Sequence, residues 1–295
     1  MSRAPDSSKL DLWVEERHRN ISAVRFRVRG LLFSETSAFQ TVEIVDTFGF
    51  GRMLLNDGLI MLSERDEFIY HDMIAHVPLF AHPDPKRILI IGGGDGGTAR
   101  EVLRHRGVER CHMVEIDETV VRACREHLPL TASALDDPRL EVIIDDGVAF
   151  VGKTDLRFDV VIVDSTDPIG PAQPLFGEAF YGDVRRVLEE GGIVVSQAES
   201  PHHEEATQAS LAGILGRLFR ETHFYNFSNL TYPGGLWSFS FASDAVHPVR
   251  DFDPGRVTGS GLEFRYYNEA VHTGAFALPT FMRNRIAASL AAARG

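Results

Sequence analysis

The sequence has little of several things, and each scarcity excludes a class of function. No apolar run approaches the ~20 residues that a membrane-crossing helix needs. Two cysteines in 295 residues, Cys111 and Cys124, show no metal-ligand spacing. They predict two free thiols, one near a strand and one on a helix, in a reducing cytoplasm. Basic charge is in deficit: 30 Lys and Arg against 42 Asp and Glu give a formal net charge of −12. No basic face is then expected for phosphates, which excludes nucleic acid as a partner. Repeats and low-complexity segments are absent, and Met1 to Leu10 is too polar for a secretory leader. What remains is ordinary globular material, 44% hydrophobic and 24% charged, enough for about two domains. Its acidity suits cationic ligands.

The pattern changes once along the chain. From about Asp11 to Ser63, short runs alternate apolar and polar, as in Ala23–Arg29 and Gln40–Val45, and are broken by Gly49, Gly51 and Asn56-Asp57-Gly58. These are antiparallel strands and hairpins, predicting a β domain over 1–63. Glu64 to Ala81 has helical spacing, with Phe68, Ile69, Met73, Val77 and Phe80 sharing one apolar stripe. From Lys86 onward strands (Arg87–Ile91, His112–Ile116, Val142–Ile144, Asp159–Val163, Ile193–Ser196) alternate with helices such as Glu118–His127 and Glu178–Leu188. That alternation predicts an α/β, doubly wound parallel sheet over 64–295. His223–Phe227 and Leu236–Ala242, flanking Tyr232-Pro233-Gly234-Gly235, read as an antiparallel pair closing it, and Ile286 to Arg294 as a frayed helix.

The first strand of that sheet runs into Gly92-Gly93-Gly94-Asp95-Gly96-Gly97, where open α/β sheets bind nucleotides. Gly92, Gly94 and Gly97 satisfy the dinucleotide pattern, and Glu115 lies at about the right distance for a ribose. Asp95 argues otherwise. It would repel a pyrophosphate and attract a sulfonium or ammonium, a difference in sign worth roughly 4 kcal/mol either way at 4 Å before screening. A cationic adenosine derivative suits the loop better than NAD.

Asp95, Glu115, Asp146 and Asp164 all fall at carboxyl ends of predicted strands. One such acid is commonly a helix N-cap; four in register are hard to dismiss as caps. Asp164-Ser165-Thr166-Asp167-Pro168 places two carboxylates together, which is costly unless a cation lies between them. Ile169 to Pro174 follows as a stiff loop over the strand ends, able to exclude water.

These residues resemble the polyamine aminopropyltransferases, the spermidine synthase family, from about Leu12 to Pro279. The motifs are Glu64-Arg65-Asp66-Glu67-Phe68-Ile69-Tyr70-His71, the Gly92–Gly97 loop, Val114-Glu115-Ile116-Asp117 and Asp164 to Pro171, with Tyr232 to Gly235 and the stretch Tyr266 to Pro279 completing the set. The resemblance implies a small β domain before a methyltransferase-like Rossmann domain, in a homodimer or homotetramer. It implies aminopropyl transfer from decarboxylated S-adenosylmethionine to putrescine, giving spermidine and 5′-methylthioadenosine. By it, Gln40 and Glu115 hold the ribose, Asp146 and Gly147 the adenine, and Asp95 the amino group, with His71 and Pro171 beside it. Asp164 is the base, flanked by Ser165 and Thr166 in the substrate-binding stretch. Asp167 grips an ammonium, and Tyr70, Tyr232, Gln197 and Trp13 line the diamine channel. Blander roles compete: packing for His71, core for Tyr70, a strand anchor for Trp13. The chain departs from the family pattern at Asn56, Met61, Leu230, Gly234, Gln173 and Pro174, which leaves the acceptor open between putrescine, cadaverine, agmatine and other amines.

The chemistry agrees with that set. A sulfonium makes its neighbouring carbon electrophilic, so neither metal nor redox cofactor is expected and the adenosyl compound is a co-substrate. The amine, with a lysine-like pKa near 10.4, is protonated at about pH 7 and needs a carboxylate to take its proton. A second anion fixes the attack distance. Two other readings remain: a methyltransferase using S-adenosylmethionine, and a non-catalytic polyamine- or nucleoside-binding protein.

Overall fold

The computed structural model describes residues 11–18 and 20–295, so Met1 to Leu10, expected to lack a leader, lies outside the described residues. Five strands come first: β1 (Leu12–His18), β2 (Ser22–Thr36), β3 (Thr41–Thr47), β4 (Arg52–Asn56) and β5 (Leu59–Ser63). They pair antiparallel in the order β1-β2-β3-β4-β5. The β4–β5 hairpin turns through Asp57 and Gly58, both at positive φ (50° and 80°), the backbone such a two-residue turn requires. The sheet's Val42, Ile44, Leu54 and Leu62 pack on the helix Glu118–His127, burying Val120, Ala123 and Cys124.

Seven further strands form a second sheet: β6 (Arg87–Gly92), β7 (Arg110–Glu115), β8 (Leu140–Ile144), β9 (Phe158–Asp164), β10 (Leu188–Gln197), β11 (Glu221–Ser228) and β12 (Leu236–Ser243). Their order is β11-β12-β10-β9-β6-β7-β8. The five strands from β10 to β8 are parallel, and β12 runs against β10 and β11. The helices are α1 (Glu67–Ala81), α2 (Gly97–Leu103), α3 (Glu118–His127), α4 (Gly147–Lys153), α5 (Glu178–Val187), α6 (Glu205–Leu218), α7 (Pro254–Gly259), α8 (Glu269–Ala275) and α9 (Thr280–Arg294). Alternation along β6 shows why its run is unbroken. Ile88 and Ile90 enter one core with α1 and α2, while Leu89 and Ile91 enter another with α4, α5, α6 and α9. A strand covered on both faces has no polar side to alternate with.

Two expectations need correction. Of the α1 stripe, Ile69, Met73, Val77 and Phe80 do share one core, but from Tyr70 to Ala81 the helix is buried all round, and Phe68, only partly buried, lies under the Arg265 guanidinium instead. The C-terminal segment is not a frayed end. α9 starts at Thr280, buries Met282 and Ile286, and Arg285 donates to Gln208 Oε1 at 2.7 Å and Pro201 O at 2.9 Å. Cys111 and Cys124 are free, buried and pushed up in pKa by burial, on β7 and α3.

β6 continues to β7 and β8 on one side of itself, and β9 to β10 on the other. The chain's direction across the sheet therefore reverses between β6 and β9, where open α/β sheets take ligands. Gly92 and Asp164, the last residues of those strands, are register partners at that point.

Candidate active site

A cavity of about 330 Å³ opens above the reversal point, between the two sheets. Its walls carry Glu16, Asp57, Asp66, Glu67, Asp95, Glu115, Asp146, Asp164 and Asp167. No lysine or arginine lines it, and His71 is the one side chain there, among the described residues, that can become cationic. An anionic wall of this kind concentrates cations.

Asp164 sits at the centre. Its Oδ1 accepts from the Tyr70 hydroxyl at 2.7 Å and its Oδ2 from the Thr98 hydroxyl at 2.6 Å. Burial raises its pKa and Asp95 adds to the rise, while His71 and the two hydroxyls oppose it. The net effect holds the Asp164 carboxyl above the ordinary carboxylate range. The glycines of the loop make room for these groups. Gly92 has φ +83°, and a Cβ there would run into the Asp164 carbonyl; one at Gly93 would meet Asp164 Oδ2 at 2.9 Å. A Cβ at Gly94 would meet Glu115, and one at Gly97 the His71 ring. Gly96 backs onto Leu135 and Ala132; neither it nor Gly97 lines the cavity.

Asp95 is not the bare carboxylate read from the sequence. Its Oδ1 accepts from Gly97 N at 2.8 Å and lies 3.3 Å from His71 Nε2. His71 Nδ1 in turn meets Glu67 Oε2 at 2.6 Å, and Glu67 takes Arg100 Nη2 at 2.8 Å. Burial alone would lower His71, but Asp95 and Glu67 outweigh it and push its pKa up to about 10. Glu67 falls to about 2: burial opposes the change, and His71 and Arg100 overcome it. The result is a chain of alternating charge, Arg100–Glu67–His71–Asp95, ending in the cavity.

On the β7–β8 side, Glu115 accepts from Gly94 N at 3.1 Å and Asp117 N at 2.9 Å, and burial raises it to about 7. Gln40 reaches over from the first sheet, donating to Asp117 Oδ2 at 3.1 Å. Asp146 caps α4 through Val148 N at 2.8 Å while also lining the cavity beside Gly147, so cap and wall are one residue.

Ser165, Thr166, Asp167, Pro171, Gln197 and Tyr232 line the opposite side. Burial raises Asp167 to about 6, with the Glu204 charge adding to it. Tyr232 donates to Met61 O at 2.6 Å. Asn56 Oδ1, Ser165 Oγ and Gln197 Oε1 are buried without a hydrogen-bond partner among the described residues, leaving acceptors free in the wall. The segment Gly170–Phe176 is a 3-10 turn whose Pro171 faces the cavity, whereas Gln173 and Pro174 do not line it.

Trp13 is placed elsewhere. Successive strand residues face opposite ways, so β1 turns Glu16 inward and Trp13 outward, 45% exposed beneath the Arg25 guanidinium. Glu16 is the residue that sequence reasoning missed: its Oε2 accepts from Ile60 N at 2.7 Å, and burial raises it to about 7. Strand alternation next to Trp13 was the only signal for it. Asp66 was missed as an anchor; its Oδ2 takes Leu230 N, Thr231 N and the Thr231 hydroxyl at 2.8 to 3.0 Å, fixing the loop that carries Tyr232.

Known proteins resemble this chain in sequence and in fold. A family model described as the spermine/spermidine synthase domain matches residues 67–253, and one described as the spermidine synthase tetramerisation domain matches 12–64. A polyamine aminopropyltransferase of Alkaliphilus metalliredigens is 42% identical over 279 residues, covering 94% of this chain and 98% of the relative. A spermidine synthase solved in complex with the transition-state analogue AdoDATO superposes with TM-score 0.93 at 39% identity, covering 98% of both chains. The spermidine synthase of Thermotoga maritima gives 0.89 at 37%, with the same coverage. The anionic cleft at the sheet's reversal point thus has its place in a known group: the chain belongs to the spermine/spermidine synthase family and is a polyamine aminopropyltransferase.

Proposed function

We propose that the enzyme moves the aminopropyl group of decarboxylated S-adenosylmethionine onto putrescine, giving spermidine and 5′-methylthioadenosine, with Asp164 as general base. The observation that carries this reading is the carboxylate-lined cavity that surrounds Asp164, without lysine or arginine among the described residues. Donor and acceptor are both cationic, and both meet anions there. In this reading Glu115 and Gln40 hold the ribose, Asp146 and Gly147 the adenine, and Asp95 the ammonium of the aminopropyl arm. Asp167, Glu16, Gln197, Tyr70 and Tyr232 form the acceptor side.

The step balances without further reagents. The amine lone pair attacks the methylene bound to sulfur, the C–S bond breaks, and sulfur keeps the pair as a neutral thioether. The amine's proton passes to Asp164. The sulfonium supplies its own leaving group, so the residues need only orient, desolvate and take one proton.

His71 softens the conflict between Asp95 and the carboxylate of S-adenosylmethionine, so both donors belong in the test. The protein is incubated with each donor and with putrescine, cadaverine, agmatine and spermidine, and products are identified by mass. Spermidine from putrescine and the decarboxylated donor is the expected main product. Methylated amines would overturn the donor assignment, and a preferred product from another amine the acceptor assignment. We also propose a homo-oligomer formed through the first sheet, where Ile21, Leu31, Leu32 and Phe48 are exposed. A cytoplasmic setting suits the two free thiols, and no helix among the described residues is long and apolar enough to cross a membrane.

A further inference from the structure

Thr98 is fully buried at the start of α2, and its hydroxyl has one hydrogen-bond partner among the described residues, Asp164 Oδ2 at 2.6 Å. Tyr70, the donor to Oδ1, also lines the cavity, so its hydroxyl has two possible duties; Thr98 does not line it. We infer that Thr98 is a positioning residue for the reaction, holding the Asp164 carboxylate ionised and aimed at the attacking amine. The inference rests on Asp164 being the base.

The groups facing Asp164 explain why such a donor is needed. Asp95 from the β6 loop and Glu115 from β7 are like charges, and Tyr232 from the 229–235 loop and Tyr70 from α1 add bulk that excludes water. His71 from α1 is the one cation near it among the described residues, and it is already shared between Asp95 and Glu67. A half-buried carboxylate facing like charges tends to keep its proton and be unable to accept another. The Thr98 hydroxyl donates to Oδ2, and a hydrogen bond donated to the carboxylate favours its ionised form. Thr98 is also the first α2 residue after Gly97, whose missing Cβ lets the loop lie against His71, so base and cation are held from adjacent positions.

The test is kcat against pH at saturating substrates for Thr98→Val, Thr98→Ala and Thr98→Ser. Removing the hydroxyl should move the acid limb up by about one pH unit, a shift typical of one lost hydrogen bond to a carboxylate. Turnover then falls about ten-fold below the limb and recovers at alkaline pH. Thr98→Ser should return the limb to its original place, and calorimetry should show 5′-methylthioadenosine binding unchanged in all three. An unmoved limb in Thr98→Val or Thr98→Ala, or a loss equal at every pH, overturns the inference. If Thr98→Val fails to fold, the limb of the alanine variant is the deciding measurement. Asp164→Asn separates the two levels. Should it keep turnover within a few-fold, the base assignment itself fails. A loss of roughly 10²–10⁴ beside an unmoved Thr98→Val limb defeats only the role given to Thr98.

Discussion

Asp95 shows what one residue can and cannot reveal. Its carboxylate within a glycine loop was legible, and it pointed to a cationic ligand. Its partner was not, because His71 lies 24 positions earlier and reaches Nε2 to within 3.3 Å only through the packing of α1 on α2. A protonated His71 compensates part of Asp95, so the preference for cations belongs to the whole wall more than to this residue. In the function proposed above, Asp95 has a narrower task, meeting the ammonium of the donor's arm. Asp95→Asn should therefore weaken the decarboxylated donor about ten- to hundred-fold, the size of one charge-assisted hydrogen bond. Binding of 5′-methylthioadenosine, which lacks that amine, should stay within about two-fold. Calorimetry on both ligands decides. Equal losses would make Asp95 a turn residue serving Gly97 N and not a reader of the donor.

At the scale of elements, type was easier to read than role. The bounds of α3 agree with its pattern because it is amphipathic and capped, with Asp117 accepting from Thr119 N at 3.0 Å. α1 defeated the same logic. One side packs in the core and the other carries the site, so its polar residues are buried too and the stripe no longer marks a single buried face. α9 was underread because alanine-rich helices look marginal alone; Met282, Ile286 and Arg285 dock this one. Asp66, just before α1, ties three elements together. Besides the three donors of the 230 loop it accepts from the Ser63 hydroxyl at 2.6 Å, at the end of β5. Asp66→Asn would turn one acceptor oxygen into a donor facing other donors. We expect a loss of about 1–3 kcal/mol in stability by urea titration, together with a raised KM for the amine and a near-normal KM for the donor. A donor-side defect of the same size would mean the loop does not act on the acceptor side alone.

For the whole molecule, the parallel sheet was legible, but how the first sheet closes over it was not, since no local pattern encodes that contact. Glu16 shows the consequence. β1 and β5 are the two edges of the first sheet, yet Glu16 Oε2 on one accepts from Ile60 N on the other, so the sheet curls and brings a carboxylate to the cavity. Ligand-free, that carboxylate is a liability. Its folded pKa is raised to about 7 by burial, against an ordinary 4.5, so the folded state holds the proton more tightly than the unfolded chain. The sign follows from linkage: the penalty is absent below about pH 4.5, grows as pH rises, and is complete above 7. Glu16→Gln keeps an oxygen for Ile60 N and removes the charge. With partial exposure discounted, it should stabilise the ligand-free protein by about 1–2 kcal/mol at pH 8.5 and by little at pH 5. Urea unfolding at the two pH values checks this, and an equal gain at both would show that charge is not the cause. Saturating putrescine should shrink the gap at pH 8.5, because a bound dication offsets the charge that the substitution removes. If the proposed acceptor role of Glu16 is right, the same variant should raise the KM for putrescine about ten-fold, and an unchanged KM would leave the stability given up at Glu16 without a tie to the acceptor.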